Sequence, residues 1–186
     1  AAPGKYTARF KYNKDSVDVP FTIKPDPNYT MTESEYDAQV GFLLQVRDKF
    51  GEVQKAIKNI RDIRTQINEF TSKTDTANTK ELRNLADSIN KKITAIEEAF
   101  YQTNAKSGQD ILNYPIRLND KISGVYGYAS SGYNPPAKQA IEAFVFLSAQ
   151  ANVQLQKLQS VMQNELVQFN SLIHQKQLPV IGIKNK

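Results

Sequence analysis

The sequence predicts a mainly helical protein, built as an antiparallel bundle of long helices with a short β-hairpin in front of it. Residues 2–27 alternate apolar and polar side chains with a period of two, which is typical of half-buried strands. After residue 32, apolar residues recur in steps of three and four, which is typical of amphipathic helices. The change of period marks the boundary between the two parts.

The predicted hairpin carries an apolar set on each strand. The two sets are Tyr6, Ala8, Phe10, Tyr12 and Val17, Val19, Phe21, Ile23. Residues 13–16 supply a polar turn, and the prolines of residues 24–27 end the second strand because proline lacks a backbone donor. A lone two-stranded hairpin is marginal in water. Its two apolar faces are too apolar to stay in water, so we expect the hairpin either to dock on the end of the bundle near the first helix or to form a dimer in which its open edge pairs with a second copy.

The first helix has a well-marked start. Thr32 and Glu35 have the spacing of a capping box, in which each side chain binds the backbone N–H of the other residue. The helix is expected to end near Phe70. Its apolar stripe consists of Tyr36, Val40, Leu43, Val46, Phe50, Val53, Ile57, Ile60, Ile63, Ile67 and Phe70.

Three more helices are predicted. The second runs from about Thr79 to Thr103, the third starts at Pro115, and the fourth runs from Asn134 to about Leu172. The expected buried residues are Leu82, Leu85, Ile89, Ile93, Ile96 and Phe100 in the second helix, Leu118, Ile122, Val125 and Ala129 in the third, and Ile141, Phe144, Leu147, Ala151, Leu155, Leu158, Met162, Leu166 and Phe169 in the fourth.

Helix lengths suggest how these elements are arranged. The first helix spans about 58 Å, the fourth about 55 Å, and the second and third together roughly 61 Å. These lengths favour three legs, with the middle leg broken at residues 107–115. The alternative is a four-helix up-and-down bundle in which the third helix folds back on the second. In both arrangements the short turn at residues 130–134 makes the third and fourth helices antiparallel.

Composition restricts the possible ligands. The chain has 186 residues and a net charge of +5, and charges of both signs alternate along the central helices, so we expect no nucleic-acid partner. No apolar run approaches the about 20 residues of a membrane span, and we expect no membrane insertion. The chain lacks cysteine and has a single histidine, which excludes thiolate metal sites. No metal and no cofactor are predicted.

Several segments resemble a known protein family. The stretches "GKYTARF", "FTIKPDP", "IRDIRTQINEF" and "ITAIEEAFYQTNAKSGQDILNYPIRLNDKISGV" are similar to the C-terminal region of exported bacterial proteins with sortilin-like or Asp-box (BNR-type) β-propellers, often labelled sialidase-like glycosyl hydrolases. In that family a small β-sandwich follows the propeller and helices follow the sandwich. The resemblance implies that residues 1–27 are the remnant hairpin of such a sandwich, that residues 28–172 form a helical bundle, and that residues 173–186 form a basic tail.

The resemblance also implies a location and partners. It predicts an exported bacterial protein (periplasmic, cell-surface or secreted) in which the upstream propeller and sandwich contact this region. Because the propeller with its Asp-boxes is not among these residues, the predicted function is a non-catalytic structural or protein-interaction module, not an enzyme. The alternative is an accessory domain of a glycoside hydrolase that contributes carbohydrate or substrate contacts.

No catalytic residue is predicted. Glu97 and Glu98 are adjacent, so their side chains point about 100° apart on a helix and do not flank one substrate. Both are expected on a solvated face. The lone His174 is expected at the frayed end of the last helix, where a cation is favoured by the helix dipole.

Two stretches contain candidate interaction residues. In residues 107–121, Gln109, Asp110 and Arg117 either form a polar binding knob or cap the helix ends. In the second case the apolar residues of the same stretch plug the bundle, namely Ile111, Leu112, Tyr114 and Ile116. In residues 124–133, the side chains of Tyr126, Tyr128 and Tyr133 either contact a protein or sugar partner or cover the end of the bundle.

Overall fold

The computed structural model describes residues 1–74 and 79–178. Its elements are β1 (Gly4–Tyr12), β2 (Asp15–Ile23), α1 (Glu33–Lys73), α2 (Lys80–Phe100), a short 3-10 helix (Asp110–Leu112), α3 (Leu118–Ser130), α4 (Lys138–Gln163) and α5 (Glu165–Gln175). The prediction of a mainly helical bundle with an N-terminal hairpin is confirmed. Residues 179–186, most of the expected basic tail, lie outside the described residues.

The helices form three legs, as their lengths favoured. Both α2 and α3 pack against α1, and they scarcely touch each other, so α3 does not fold back on α2. Asn68 of α1 contacts Asn90 of α2, and Gln39 near the start of α1 contacts the carbonyl of Ala129 near the end of α3. The middle leg is therefore antiparallel to α1 along its whole length.

The third leg, made of α4 and α5, runs parallel to α1. The ring of Phe42 meets that of Phe144 at a centroid distance of 5.6 Å, and Phe70 meets Phe169 at 6.0 Å, both edge to face. The two aromatic pairs lie at opposite ends of the bundle. They hold the first and third legs together near both ends.

The last leg is broken at Asn164. This residue has ψ of −71° and separates two helices where the sequence predicted one. Its backbone N–H still donates to Ser160 and its carbonyl accepts from Gln168, so the chain direction continues across the break. The second segment, α5, reaches Gln175, three residues beyond the predicted end at about Leu172.

A single apolar cluster runs through the bundle and receives side chains from all five helices. The four residues predicted for the third helix are all buried. Two predictions for the fourth helix are wrong, because Ile141 and Met162 are 42% and 37% exposed. Their chain neighbours Ala140 and Val161 are buried instead. Because α4 packs against α1, α2 and α3, its buried side is rotated away from the stripe that the apolar residues of the sequence indicate.

Both ends of α1 are capped as a long helix requires. At its start, the Glu35 backbone N–H donates to the Thr32 hydroxyl at 3.3 Å and the Thr32 N–H donates to the Glu35 carboxylate at 2.8 Å, so the predicted capping box is confirmed. At its end, the Arg83 guanidinium of α2 donates to the carbonyls of Thr71 and Thr74 at 2.8 and 2.9 Å. These bonds satisfy backbone groups that a helix terminus leaves unpaired.

The hairpin has one apolar face, not two. In the register of the two strands, Tyr6 lies opposite Phe21 and Phe10 lies opposite Val17. Residues that lie directly opposite in an antiparallel pair project to the same side of the sheet. The two apolar sets therefore combine, and the expectation of two apolar faces is wrong. The turn closes at Asn13, which has a φ of 53°. Asparagine adopts this left-handed conformation more readily than most residues.

The hairpin stands apart from the bundle. In the described part of the chain no helix packs against either strand. Phe10 and Tyr12 are 63% and 78% exposed, and Val17, Val19 and Phe21 are exposed as well. The expected docking of the hairpin near the first helix is therefore not the arrangement that the structure shows.

Candidate interaction surface

The predicted interaction residues fall into two groups at opposite ends of α3. Gln109 and Asp110 lie in the loop before it, and Arg117 is its N-cap residue. Tyr126 and Tyr128 lie in its last turns, with Tyr133 in the turn that follows. Because the 13 residues of α3 span about 20 Å, the structure does not join the two groups into one cluster.

Asp110 organises the loop that contains it. Its carboxylate accepts the backbone N–H groups of Lys106 at 2.5 Å and Ser107 at 2.8 Å, and the Ser107 hydroxyl at 2.9 Å. These hydrogen bonds favour the ionised form and hold the pKa of Asp110 below its usual range. The neighbouring Gln109 is exposed. Asp110 thus has the structural role of a cap, whereas Gln109 remains available to a partner.

The apolar residues of the same loop do not plug the bundle. All four are exposed, namely Ile111, Leu112, Tyr114 and Ile116. Leu112 at the tip is 86% exposed, so this expectation is wrong. The loop is closed instead by buried Gln102, whose amide donates to the Pro115 carbonyl at 2.9 Å and accepts the Asn104 N–H at 3.3 Å. With its backbone held by Gln102, the segment protrudes and does not fill a gap.

The three tyrosines have different environments. The ring of Tyr133 stacks on that of Tyr29 at a centroid distance of 3.9 Å, although Tyr133 itself is 43% exposed. Tyr126 and Tyr128 are exposed. They are two positions apart on a helix and so point about 200° from each other. Only one of them can face a given partner.

An open groove made of two adjoining pockets follows the seam between α3 and α4, and one predicted residue borders each pocket. Near the start of α3 it has a volume of about 410 Å³ and is bordered by Arg117. Near the end of α3 it has a volume of about 370 Å³ and is bordered by Tyr128. Ile116 and Lys121 line both parts. The seam offers an aromatic face and cations, which suit a sugar or a peptide.

A buried carboxylate that pairs with two partly exposed arginines between α1 and α2 was not predicted. Glu97 is only 4% exposed, so its expected place on a solvated face is wrong, whereas Glu98 is exposed as expected. The carboxylate of Glu97 binds Arg61 at 2.6 Å and Arg64 at 2.7 Å. The guanidinium of Arg61 also lies over the ring of Tyr101 at 5.0 Å. Glu97 follows Ile93 by four residues, and this place beside an apolar stripe was the available signal of burial.

The electrostatics of Glu97 reflect two opposing effects. Burial acts to raise the pKa of this carboxyl. The hydrogen bonds and charges of Arg61 and Arg64 act in the opposite direction and prevail, so the pKa of Glu97 lies below its usual value. The carboxylate is ionised, and its two ion pairs hold α1 and α2 together.

A second buried polar contact fixes the other end of the bundle. Gln39 of α1 is buried, and its amide donates to the carbonyls of Ala129 and Gly132, each at 3.1 Å. Gly132 has a φ of +98°, a backbone conformation that glycine adopts without strain. The amide thus binds the end of α3 to α1 at the point where the chain turns into α4.

Other predicted site features have simple positions. His174 lies exposed in the last turn of α5, where the sequence placed it. Among residues 1–74 and 79–178, no group of three or more histidine, aspartate or glutamate side chains is placed to hold a metal ion. Within the same ranges, none of the helices combines the length and apolarity needed to cross a membrane.

Two apolar surfaces remain uncovered in this part of the chain. The hairpin face consists of Tyr6, Ala8, Phe10, Tyr12, Val17, Val19 and Phe21. The α4 ridge consists of Ile141, Val145, Phe146 and Val153, all exposed. Exposed apolar residues grouped on one side of an element mark interaction sites more often than residues scattered singly over the surface.

Comparison of the chain with models of known protein families, with curated proteins and with solved structures finds no match.

Proposed function

We propose that this chain is a non-catalytic structural and protein-interaction module at the C-terminal end of a larger exported bacterial propeller protein. The observation that carries the interaction role is the uncovered hairpin face beside a helical core that is already closed. Burial of a large apolar side chain is worth roughly 1.5–3 kcal/mol. Several such side chains on one sheet therefore favour association with another protein surface.

The carboxylates that stand out electrostatically support a non-catalytic role. Glu97 is bound by two arginines, and Asp110 is bound by the backbone of its own loop. Glu35 is held by the backbone and hydroxyl of Thr32 in the capping box. Each of these carboxylates has a lowered pKa because it is used to stabilise the fold. A general acid needs the opposite shift.

The parent protein is inferred from the resemblance of the hairpin and of the helix-break segment to the propeller family. Glycoside hydrolysis by the parent, with and without residues 32–186, tests this assignment. We expect hydrolysis to depend on the upstream propeller and to survive removal of the helices. Turnover of glycosides by residues 1–186 alone, lost on one substitution such as Glu98→Gln, would contradict the non-catalytic role.

An accessory role in carbohydrate contact is the second candidate, and the groove at the α3–α4 seam favours it. Tyr128 presents an exposed ring beside this groove, and Arg117 borders the groove at its other end. In a titration with oligosaccharides followed by calorimetry, this role predicts binding that Tyr128→Ala weakens roughly tenfold or more. Tyr126→Ala is the matched control, because Tyr126 lies on the same helix but points away from the groove.

A further inference from the structure

We propose that the hairpin face of one copy packs on the α4 ridge of a second copy, so that two chains form a two-fold symmetric dimer by exchanging hairpins. The proposal rests on the proposed interaction role, because it names the partner of the hairpin face. It connects the two surfaces that the described structure leaves uncovered.

The hairpin is shaped to cover a helix. On its polar face, a bidentate ion pair at 2.7 Å between Arg9 and Asp18 joins the two strands, and this face can remain in water. On the other face the rings of Tyr6 and Phe21 stack at 5.8 Å, so part of the apolar surface is ordered before any partner binds. An antiparallel sheet with one apolar face is normally buried by a helix or a second sheet.

The α4 ridge is suited to receive such a sheet. Val145 and Phe146 are 62% and 64% exposed, and Ile141 and Val153 extend the ridge to a length of about 18 Å. A nine-residue strand is about 30 Å long and so can span it. The two charged residues of α4 closest to the ridge, Lys138 and Glu142, pair with each other at 3.5 Å, and the other exposed polar residues of this stretch are uncharged, which limits the cost of removing water.

The linker directs the hairpin away from its own helices. Pro25 and Pro27 fix the φ angle at two positions of the segment between β2 and α1. Asp26, which lies between the two prolines, closes a turn: its carboxylate accepts the Asn28 N–H at 2.9 Å and its carbonyl accepts the Tyr29 N–H at 3.2 Å. The ring of Tyr29 is in turn stacked on Tyr133. A restrained linker opposes folding back within one chain and leaves the hairpin free for another.

The position of the linker also fits a reciprocal exchange. Tyr133 lies just before Lys138, the first residue of α4, so the hairpin leaves the bundle at the end where α4 begins. A two-fold axis beside this end brings each hairpin towards the α4 ridge of the other chain. One contact then covers both uncovered surfaces.

The available area is sufficient for a stable dimer. Phe10, Tyr12 and Phe21 are 63%, 78% and 46% exposed. With about 150–250 Å² for each fully exposed aromatic residue, the three present roughly 300–450 Å² per hairpin. Two reciprocal contacts, counted on both partners, give about 1,200–1,800 Å². Specific interfaces bury about 1,200–2,000 Å².

Sedimentation equilibrium of the 186-residue chain tests the proposal first. We expect a reversible dimer whose dissociation constant rises roughly tenfold or more in Phe146→Asp and in Phe21→Asp. Gln159→Asp, on the exposed side of the same helix, and Thr22→Asp, on the polar face of the hairpin, should change it by no more than about twofold. Far-ultraviolet circular dichroism checks that each variant keeps its helices.

Disulfide trapping tests the contact directly, because the chain contains no cysteine of its own. The double variant Val19→Cys with Phe146→Cys should form a covalent dimer under mild oxidation. Thr7→Cys with Phe146→Cys is the matched control and should stay monomeric, since Thr7 lies on the polar face.

Three results would overturn the proposal. The first is a chain that stays monomeric at about 100 μM, well above the micromolar affinities that interfaces of this size reach. The second is a disulfide between cysteines at positions 19 and 146 that forms within one chain. The third is a dimer that survives Phe146→Asp but not Phe21→Asp. The last result would assign the dimer to pairing between hairpins. None of these three results bears on the proposed non-catalytic role, which the hydrolysis experiment tests separately.

Discussion

The Nε atom of Arg61 lies 2.6 Å from a carboxylate oxygen of Glu97, and this contact joins α1 to α2 where the carboxylate is almost fully buried. Arg64 holds the second oxygen and also donates to the Thr94 hydroxyl at 3.1 Å. Each oxygen of the carboxylate therefore has its own guanidinium. The arrangement sets the register of the two helices as well as their separation.

Replacing Glu97 should destabilise the bundle. In Glu97→Ala the two arginines lose their shared acceptor, and a hydrogen bond to a charged group is worth about 1.5–3 kcal/mol. The melting temperature should fall by roughly 3–12 °C, since 1 kcal/mol corresponds to about 2–4 °C in a chain of this size. The exposed neighbour gives a matched control, and Glu98→Ala should melt within about 2 °C of the unchanged protein. Equal effects of the two substitutions would contradict the structural role of Glu97.

The same carboxylate predicts loss of stability in acid. The pKa of Glu97 in the folded chain lies below its ordinary value of 4.5, so the unfolded chain binds protons more readily. The stabilisation is therefore complete above pH 4.5 and is lost as the pH falls through the lower folded value. The pKa values of Glu35 and Asp110 are shifted in the same direction and add to the effect.

Urea unfolding at pH 7 and at a series of lower pH values checks this sign. The free energy of unfolding should decrease below pH 4.5, and the difference between the unchanged chain and Glu97→Gln should shrink over the same range. A difference that stays constant down to pH 2.5 would mean that the ionisation of Glu97 contributes nothing.

Removal of the Gln39 amide should loosen the opposite end of the bundle. Gln39→Ala leaves the Ala129 and Gly132 carbonyls without their side-chain donor, at a cost of about 1–3 kcal/mol. Hydrogen exchange in the last turn of α3 should accelerate before exchange in α2. Gln45→Ala, an exposed position on the same helix, is the control. Unchanged exchange in α3 would speak against the role of this amide.

Deleting residues 1–27 should leave a folded helical bundle. Within residues 1–74 and 79–178 no helix packs against the strands, so the helical circular dichroism signal and the melting temperature of the bundle should be retained. Light scattering should show a chain that associates less, because the hairpin face is gone. If the deletion instead melts the helices, the strands are an integral part of the helical domain.

Features that depend on residues close in the chain were predictable from the sequence. The capping box needs only Thr32 and Glu35, three residues apart, and it forms as expected. The stripe of α3 at Leu118, Ile122, Val125 and Ala129 is buried in full, because four residues with helical spacing define one face of a short helix.

Features that depend on distant partners were not predictable. Glu97 was expected in solvent because its arginine partners lie on another helix, more than thirty residues earlier in the chain. The apolar composition of residues 111–116 suggested burial, yet only the fold reveals that Gln102 closes the loop and leaves Leu112 outside. The uncovered α4 ridge likewise depends on which side of α4 its three neighbours occupy.

The separation of the middle leg into α2 and α3 has a consequence for the order of folding. Arg83 of α2 contacts Thr71 of α1, only twelve residues earlier in the chain, and only seven residues separate the end of α3 from the start of α4. Closing such loops costs little chain entropy, whereas the contact between Gln39 and Ala129 closes about ninety residues. Two helical hairpins are therefore expected to form early and independently, with their docking along the first half of α1 as the slower step.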